Sequence, residues 1–406
     1  MKPDTRIEPA LKRSLSLPLI TFYGLGNILG AGIYVLIGKV AGHAGIYAPI
    51  AFLLASLLAC LTAFTYAELV ARYPVSAGEA VYLHKGFAKR WLSVLVGLLI
   101  ILAGVVSSAT LTRGFVGYLQ VFIDVPPALI MLLLVTLLGG LAAWGISQSI
   151  RVAATFTVLE ILGLLLIIWV LRPDINLAFE QLSHTLPPAN TAIWQGILMG
   201  SFLAFYAFIG FEDMVNVAEE VQDPWRNLPL AILAALFISS LLYFAVAFVA
   251  VAKFTPDELA TSEAPLAYMY QQATGKTPTV ISLIGMVAVI NGALIQIIMA
   301  ARVFYGLARQ GWISQTLGII HPRTQTPLLA TGLVSVLVLV MALWLPIETL
   351  AKVTSYFILT VFALVNLALW RIKLKRRDEP APFAIPLWVP MAGFILTTAF
   401  LLYQLL

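Results

Sequence analysis

Residues 24–34 read Gly-Leu-Gly-Asn-Ile-Leu-Gly-Ala-Gly-Ile-Tyr, with four glycines inside nine positions of an apolar run. Each glycine weakens a helix by about 1 kcal/mol relative to alanine, so the spacing predicts unwinding near Gly30–Gly32. The freed amides of Ala31, Gly32 and Ile33 would sit at the positive end of the half-helix that follows, where a carboxylate is welcome. Carbonyls released near Asn27 and Ile28 would accept from an ammonium. A second interruption is expected in Phe205-Tyr206-Ala207-Phe208-Ile209-Gly210-Phe211-Glu212-Asp213, where the carbonyls of Phe205 to Phe208 offer the same chemistry. Three carboxyls and one guanidinium stand inside apolar runs: Glu160, Glu212, Asp213 and Arg113. Charges so placed are expensive and mark function by default. A buried carboxyl there can gain and lose a proton, because burial disfavours its charged form.

These residues are carried by a chain built for a bilayer. It has 406 residues, 61% hydrophobic and 11% charged, against about 25% charged in soluble domains. Its apolar blocks approach the ~20 residues that a membrane helix needs. Eleven spans are read at 18–42, 47–73, 91–122, 127–146, 150–171, 193–221, 228–252, 277–308, 327–345, 348–371 and 386–406. The 28 glycines and 22 prolines suit membrane helices, which tolerate both. Lys2, Arg6, Lys12, Arg13, Arg72, Lys85, Lys89, Arg90, Arg151, Arg226, Arg309, Arg323 and the run Arg371 to Arg377 fall on one side. The opposite side holds little beyond Arg172, Lys253 and Lys276. The positive-inside rule then places the N-terminus in the cytoplasm and, with an odd span count, the C-terminus outside. The net charge of +5 therefore reports orientation, not nucleic-acid binding. No cleavable signal segment precedes the first span, and the lone Cys60 excludes an intrachain disulfide.

The two interrupted spans lie five apart, an odd number, so the halves that contain them face opposite ways. That is the arrangement of inverted-repeat transporters with broken helices meeting near the midplane. Gly24 and Gly38 are read as close-packing positions. Glu160 is either a proton site or the partner of Arg113 across helices, and Asp213 either a proton site or a residue facing a watery vestibule. Glu68, Glu79, Glu219, Glu220 and Asp223, at span ends beside Arg72, Arg226 and Arg309, are read as solvated faces ahead of gate-closing ion pairs. Asn291 and Gln296 are read as interhelical hydrogen-bonding groups. An intramembrane enzyme would need a nucleophile–base pair or metal ligands inside the spans. His43, His84, His184 and His321 are scattered near the surfaces, so neither catalysis nor a metal or cofactor is expected.

The Gly24–Tyr34 run resembles the first-span motif of the amino acid–polyamine–organocation transporters. Tyr66-Ala67-Glu68-Leu69 through Pro74, Gly78, Glu79 and Tyr82 resembles that family's segment after span two. Phe208 to Glu212 with Ala218-Glu219-Glu220-Val221 and Asp223-Pro224, the run Arg302 to Gly311, and Pro382-Phe383 with Pro386 and Pro390 are similar to its later motifs. The resemblance covers nearly the whole chain in order. It implies an all-α, leucine-transporter-like fold with five-plus-five inverted repeats, here 1–17 as an N-terminal segment, 18–171, 193–371, a basic loop 372–385 and a last span 386–406. It also implies alternating access in the cytoplasmic membrane with an amino acid or amine as substrate, by symport with protons or by exchange. On those patterns Asn27, Ile28, Gly30, Ala31, Gly32, Ile33, Phe205, Phe208 and Ile209 would surround the substrate, with Tyr206 as an aromatic lid. Asn27-Ile28 and Glu212 resemble the arginine/agmatine branch, and Ala-Glu-Glu-Val the cationic and broad-specificity branch. The chain departs from the pattern at Ala31, where many members carry Ser or Thr, and at Glu160, where several branches carry Lys.

Overall fold

The computed structural model describes residues 13–120, 125–172, 187–262, 264–345, 347–375 and 381–403. Lys2, Arg6, Lys12, His184, Arg376 and Arg377 lie outside the described residues, as does the side chain of Ala31. The described secondary structure is helical apart from one isolated bridge between Leu15 and Val221.

The first span is split into α1 (Leu17–Leu29) and α2 (Ala31–Ala44). It is followed by α3 (Ala48–Arg72), α4 (Gly78–Phe87), α5 (Arg90–Gln120), α6 (Pro127–Trp144) and α7 (Ile146–Leu171). The second half opens with α8 (Thr191–Tyr206), the first part of the sixth span, and a 3-10 segment over Glu212–Glu220. Then come α9 (Pro224–Lys253), the short α10 (Pro256–Thr261) and α11 (Pro265–Thr274), α12 (Thr279–Arg309), α13 (Leu328–Trp344), α14 (Ile347–Lys375) and α15 (Trp388–Tyr403). Proline stands in the first turn of α1, α3, α6, α9, α10 and α11, where its missing N–H costs nothing. Asn190 caps α8 by accepting from Ala192 N and Ile193 N, and Thr255 with Glu258 closes a capping box on α10.

Eight described stretches are long and apolar enough to cross a membrane, and α8, α13 and α15 are shorter apolar helices of 16 or 17 residues. Leu137, Phe237 and Trp344 are 67%, 70% and 80% exposed. Apolar surface of that extent meets lipid, not water. The chain is an integral membrane protein.

The second, third and fourth spans each pack on the span five later: α3 on α9, α5 on α12 and α6 on α13. The halves of span one sit between the halves' partners, α1 against α7 and α9, and α2 against α8. This is the five-plus-five arrangement expected from the sequence. The eleventh span, α15, lies outside it against α3 and α14.

Candidate functional site

Both expected breaks are present, and they touch. Gly30 ends α1 and starts α2 with φ −44° and ψ −143°, so one residue suffices where unwinding through Gly32 was expected. In span six the α-helix stops at Tyr206, and the next amides fold back in tighter turns, Ala207 N to Ala204 O, Phe208 N to Phe205 O and Ile209 N to Tyr206 O at 3.0, 2.9 and 3.2 Å. Gly210 then takes φ +133°, a conformation that side chains rarely adopt. A Cβ at Gly32 would lie 2.8 Å from the Ala207 Cα, so α2 approaches the second break backbone to backbone.

A cavity of about 40 Å³ opens between the breaks. Asn27, Ile28, Gly30 and Gly32 line it from span one, and Tyr206 and Ile209 from span six. Six of the ten sequence-derived binding residues thus converge, and the first amides of α2, around Ala31 and Ile33, have no partner within their own helix. Phe205 and Phe208 do not line the cavity. Phe205 packs on Phe362 and Phe400, and Phe208 on the Tyr243 ring at 5.1 Å. Sequence reasoning missed Ser107, Leu111, Gly292 and Thr354, which complete the wall. They come from three other spans and carry no local signature.

The freed carbonyls already have a donor. The Tyr243 hydroxyl of α9 reaches Ile28 O at 2.5 Å and Ala207 O at 3.1 Å, linking the two breaks. Only its isolation as a polar tip inside an apolar span marked it in the sequence. Asn27 is equally engaged, its Nδ2 donating to Gly210 O at 2.9 Å and to the Asp213 carboxylate. Gln296 Nε2 donates to the same Asp213 oxygen at 2.6 Å and to Asn27 Oδ1 at 3.2 Å. Asp213 is 1% exposed, so the vestibule reading is corrected: it stands behind the cavity wall and holds two wall residues in place. Glu212 Oε2 accepts from Gly210 N at 2.7 Å, bracing the second break from within.

Glu160 occupies a separate buried cluster. Its Oε1 accepts from Asn291 Nδ2 at 2.8 Å, and the same amide reaches Thr157 Oγ1 at 3.2 Å. Thr157 in turn lies 3.1 Å from Phe22 O, and Tyr34 OH donates to Glu160 O at 2.8 Å. A Cβ at Gly26 would meet Thr157 Oγ1 at 2.1 Å, so this glycine lets α1 lie on the cluster. Arg113 is not the partner of Glu160. It donates to Ala342 O and Leu343 O at 2.5 and 3.1 Å, neutralising the negative end of α13. Asn291 and Gln296 do bond between helices, and Gln296 also lines the cavity. Gly24 and Gly38 pack closely, on Met214 and on Leu259 O.

The solvated reading of the span-end carboxyls fails for Glu68, Glu79 and Glu220, each 0–1% exposed. Glu68 accepts from Arg72 NH2 and Lys373 Nζ at 2.7 Å each and from Ile385 N at 2.8 Å, tying α3, α14 and the approach to α15 together. Glu220 pairs with Arg302 Nε at 2.7 Å. Arg302 is a buried cation that sequence reasoning passed over, although a lone arginine inside an apolar span was the available signal. Ser14 N and Leu15 N donate to Glu220 O at 2.9 and 3.0 Å, and Gln222 N to Leu15 O at 2.9 Å. The segment before α1 is thereby stitched to the end of the 3-10 segment that follows the span-six break.

The family profile described as "Amino acid permease" matches residues 15–406. Among curated proteins the chain is similar to a branched-chain amino acid permease of Bacillus subtilis, BcaP, 27% identical over 93% of this chain and 85% of that protein. It is 26% identical to the methylthioribose transporter of Bacillus subtilis, over 95% of this chain and 86% of the relative. It is 28% identical to the mitochondrial cationic amino acid transporter 3 of Arabidopsis thaliana over 92% of its own length, but spans only 64% of that protein. Among solved structures it superposes on MhsT in complex with L-phenylalanine with a TM-score of 0.63 at 14% identity, covering 97% of this chain and 98% of the other. On a Na+-coupled sialic acid symporter the TM-score is 0.61 at 14% identity, with 93% and 88% covered. At that identity the likeness concerns the fold alone.

Proposed function

This chain belongs to the amino acid permease family, and from that premise we propose that it is a secondary active transporter carrying an amino acid across the cytoplasmic membrane by alternating access, in symport with protons. The observation that carries this reading is the meeting of two helix breaks at one cavity. The substrate carboxylate binds the first amides of α2 at Ala31, Gly32 and Ile33, at a helix N-terminus that favours an anion. Its ammonium takes the carbonyls of Ile28 and the Ala207–Ile209 turn, displacing the Tyr243 hydroxyl from one of them. Tyr206 closes over it. Alternating access follows because the cavity lies between halves of broken spans whose segments can tilt separately. The N-terminal face is the cytoplasmic one, by the distribution of Lys and Arg.

Glu160 is the proton site of this reading. It is a carboxyl with no basic partner among the described residues, one oxygen unserved, and its cluster bears on α1 through Thr157 and on α2 through Tyr34. Purified protein in liposomes tests the reading, with labelled amino acids and an imposed pH gradient. Saturable uptake that accumulates with the inward proton gradient is expected; no uptake of any amino acid or amine refutes it. Glu160→Gln abolishes accumulation and leaves counterflow.

A second reading has a specific observation in its favour: Asp213 and Glu212 place acidic groups directly behind the wall, which suits a cationic amine or an exchanged cationic amino acid. Competition among alanine, arginine and putrescine separates the two, since only a ligand lacking a carboxylate forgoes the α2 amides.

A further inference from the structure

A further buried carboxyl stands on an element that no span contains. Glu79 opens α4, a ten-residue helix outside the candidate spans. It is 1% exposed, its Oε1 lies 3.3 Å from Asn216 Nδ2, and its Oε2 has no hydrogen-bond partner among the described residues. Asn216 belongs to the 3-10 segment that continues span six below the break, and its own Oδ1 is likewise unserved. We propose that Glu79 is a proton-carrying residue of the transport cycle, protonated while the N-terminal face is closed and deprotonated when α4 parts from the segment after the span-six break. This rests on the proton-coupled reading above and adds a second carboxyl to it.

Three observations support it. First, no cation pairs with it among the described residues. Of the basic groups on or near α4, the His84 ring lies against Trp312, Lys85 lies over Tyr73, Arg371 over Phe87, Arg90 donates to Gly311 O and Trp312 O, and Lys373 serves Glu68. The Arg302 guanidinium on α12 pairs through Nε with Glu220, not with Glu79. What bears on Glu79 is instead acidic or neutral: Asp213 and Asn216 from the 3-10 segment and Tyr66 from α3, with Glu212 and Tyr82 in the same cluster around Tyr66. Burial, helped by Asp213, pushes the carboxyl up to about 8. Second, its partner serves both protonation states. A carboxamide donates through its NH2 to a carboxylate and, turned over, accepts through its oxygen from a carboxylic O–H. Third, the contact crosses between two separate elements. Glu79 and Asn216 stand on two elements, joined here by an amide contact and not by an ion pair.

The step balances as an acid dissociation. When the two elements part, the Glu79 O–H bond breaks, water takes the proton and the carboxylate stays on the protein; closing reverses it. The sign follows from the raised value in the closed state. Below the ordinary carboxylate range both states are protonated and closure is undiminished. Between that range and about 8 each pH unit shifts the closed-to-open balance by about tenfold towards open, and above it the loss is complete.

The test uses the full chain in liposomes, with labelled alanine or leucine, comparing wild type, Glu79→Gln and Glu79→Asp. For Glu79→Gln the expected result is counterflow that persists, a counterflow pH profile flattened between about pH 5 and 8, and accumulation under a proton gradient reduced by about tenfold or more. For Glu79→Asp accumulation returns with a displaced pH midpoint. Wild-type accumulation and an unaltered pH profile in Glu79→Gln overturn the assignment. If Glu79→Gln loses counterflow as well, Glu79→Asp decides, and an unmoved midpoint overturns it. A wild-type protein that shows counterflow without any response to the gradient overturns the coupling reading itself, which is a different outcome from coupling that survives the substitution.

Discussion

Tyr243→Phe removes one oxygen and leaves the ring, which packs edge-on against Phe52 and Phe208 with centroids 5.8 and 5.1 Å away. What is lost is, among the described residues, the only side-chain donor on the Ile28 and Ala207 carbonyls. One hydroxyl has one proton, so one bond is lost at a time, worth about 0.5–1.5 kcal/mol net, while a buried carbonyl left unserved costs about 1–3 kcal/mol. The ligand-free protein should therefore unfold at lower temperature than wild type. Substrate binding should move the other way. In wild type the ammonium must displace the hydroxyl from Ile28 O; in the variant the carbonyl is vacant, so the displacement cost disappears. That predicts binding about 2- to 10-fold tighter. Calorimetric titration of the detergent-purified proteins with the transported amino acid measures it, and a thermal melt with and without ligand checks the compensation. Binding that is unchanged or weaker in Tyr243→Phe would refute the idea that ligand and hydroxyl compete for the same carbonyl.

The other predictions concern packing and buried charge. Gly32→Ala drives a methyl to 2.8 Å from the Ala207 backbone; overpacking of about 1–3 kcal/mol and a loss of transport are expected, whereas Gly114→Ala, with nothing within 4 Å, should be neutral or gain up to about 1 kcal/mol of helix propensity. Melting and uptake of both proteins provide the comparison. Glu68→Gln strands Arg72 and Lys373, whose side chains are 10% and 14% exposed and so keep some water; a loss of about 2–3 kcal/mol in denaturant stability, with KM little changed, is expected. Arg302→Met leaves Glu220 buried without its cation and should cost about 3–5 kcal/mol, much of which Glu220→Gln in the same chain should restore. A double variant no more stable than Arg302→Met alone would contradict this pairing.

The spans were legible because the bilayer imposes its thickness on the sequence. The block read as 277–308 is the helix Thr279–Arg309, and 127–146 is Pro127–Trp144. The breaks were legible for a related reason: glycine clusters and a turn with acidic residues have no place in a continuous apolar helix. What stayed hidden was whatever depends on partners distant in the chain. Glu68 looked solvated beside Arg72, and only the fold brings up Lys373, 305 positions away, to bury it. Ser107, Gly292 and Thr354 are ordinary small residues until three spans converge on one cavity. Arg113 stood as the alternative partner of Glu160 only because it is the conspicuous charge of opposite sign, but backbone carbonyls at a helix end supply a cation's partner that no side-chain inventory shows.

Transport by this site depends on peptide groups exposed by two breaks gripping a zwitterion. A density map of the protein saturated with its transported amino acid tests this most directly. The expected result is α1 and α2 separated at Gly30, with the ligand carboxylate about 2.7–3.2 Å from the amides of Ala31, Gly32 or Ile33 and its ammonium facing Ile28 O. A continuous helix through Gly30, or a ligand seated away from both breaks, would contradict it.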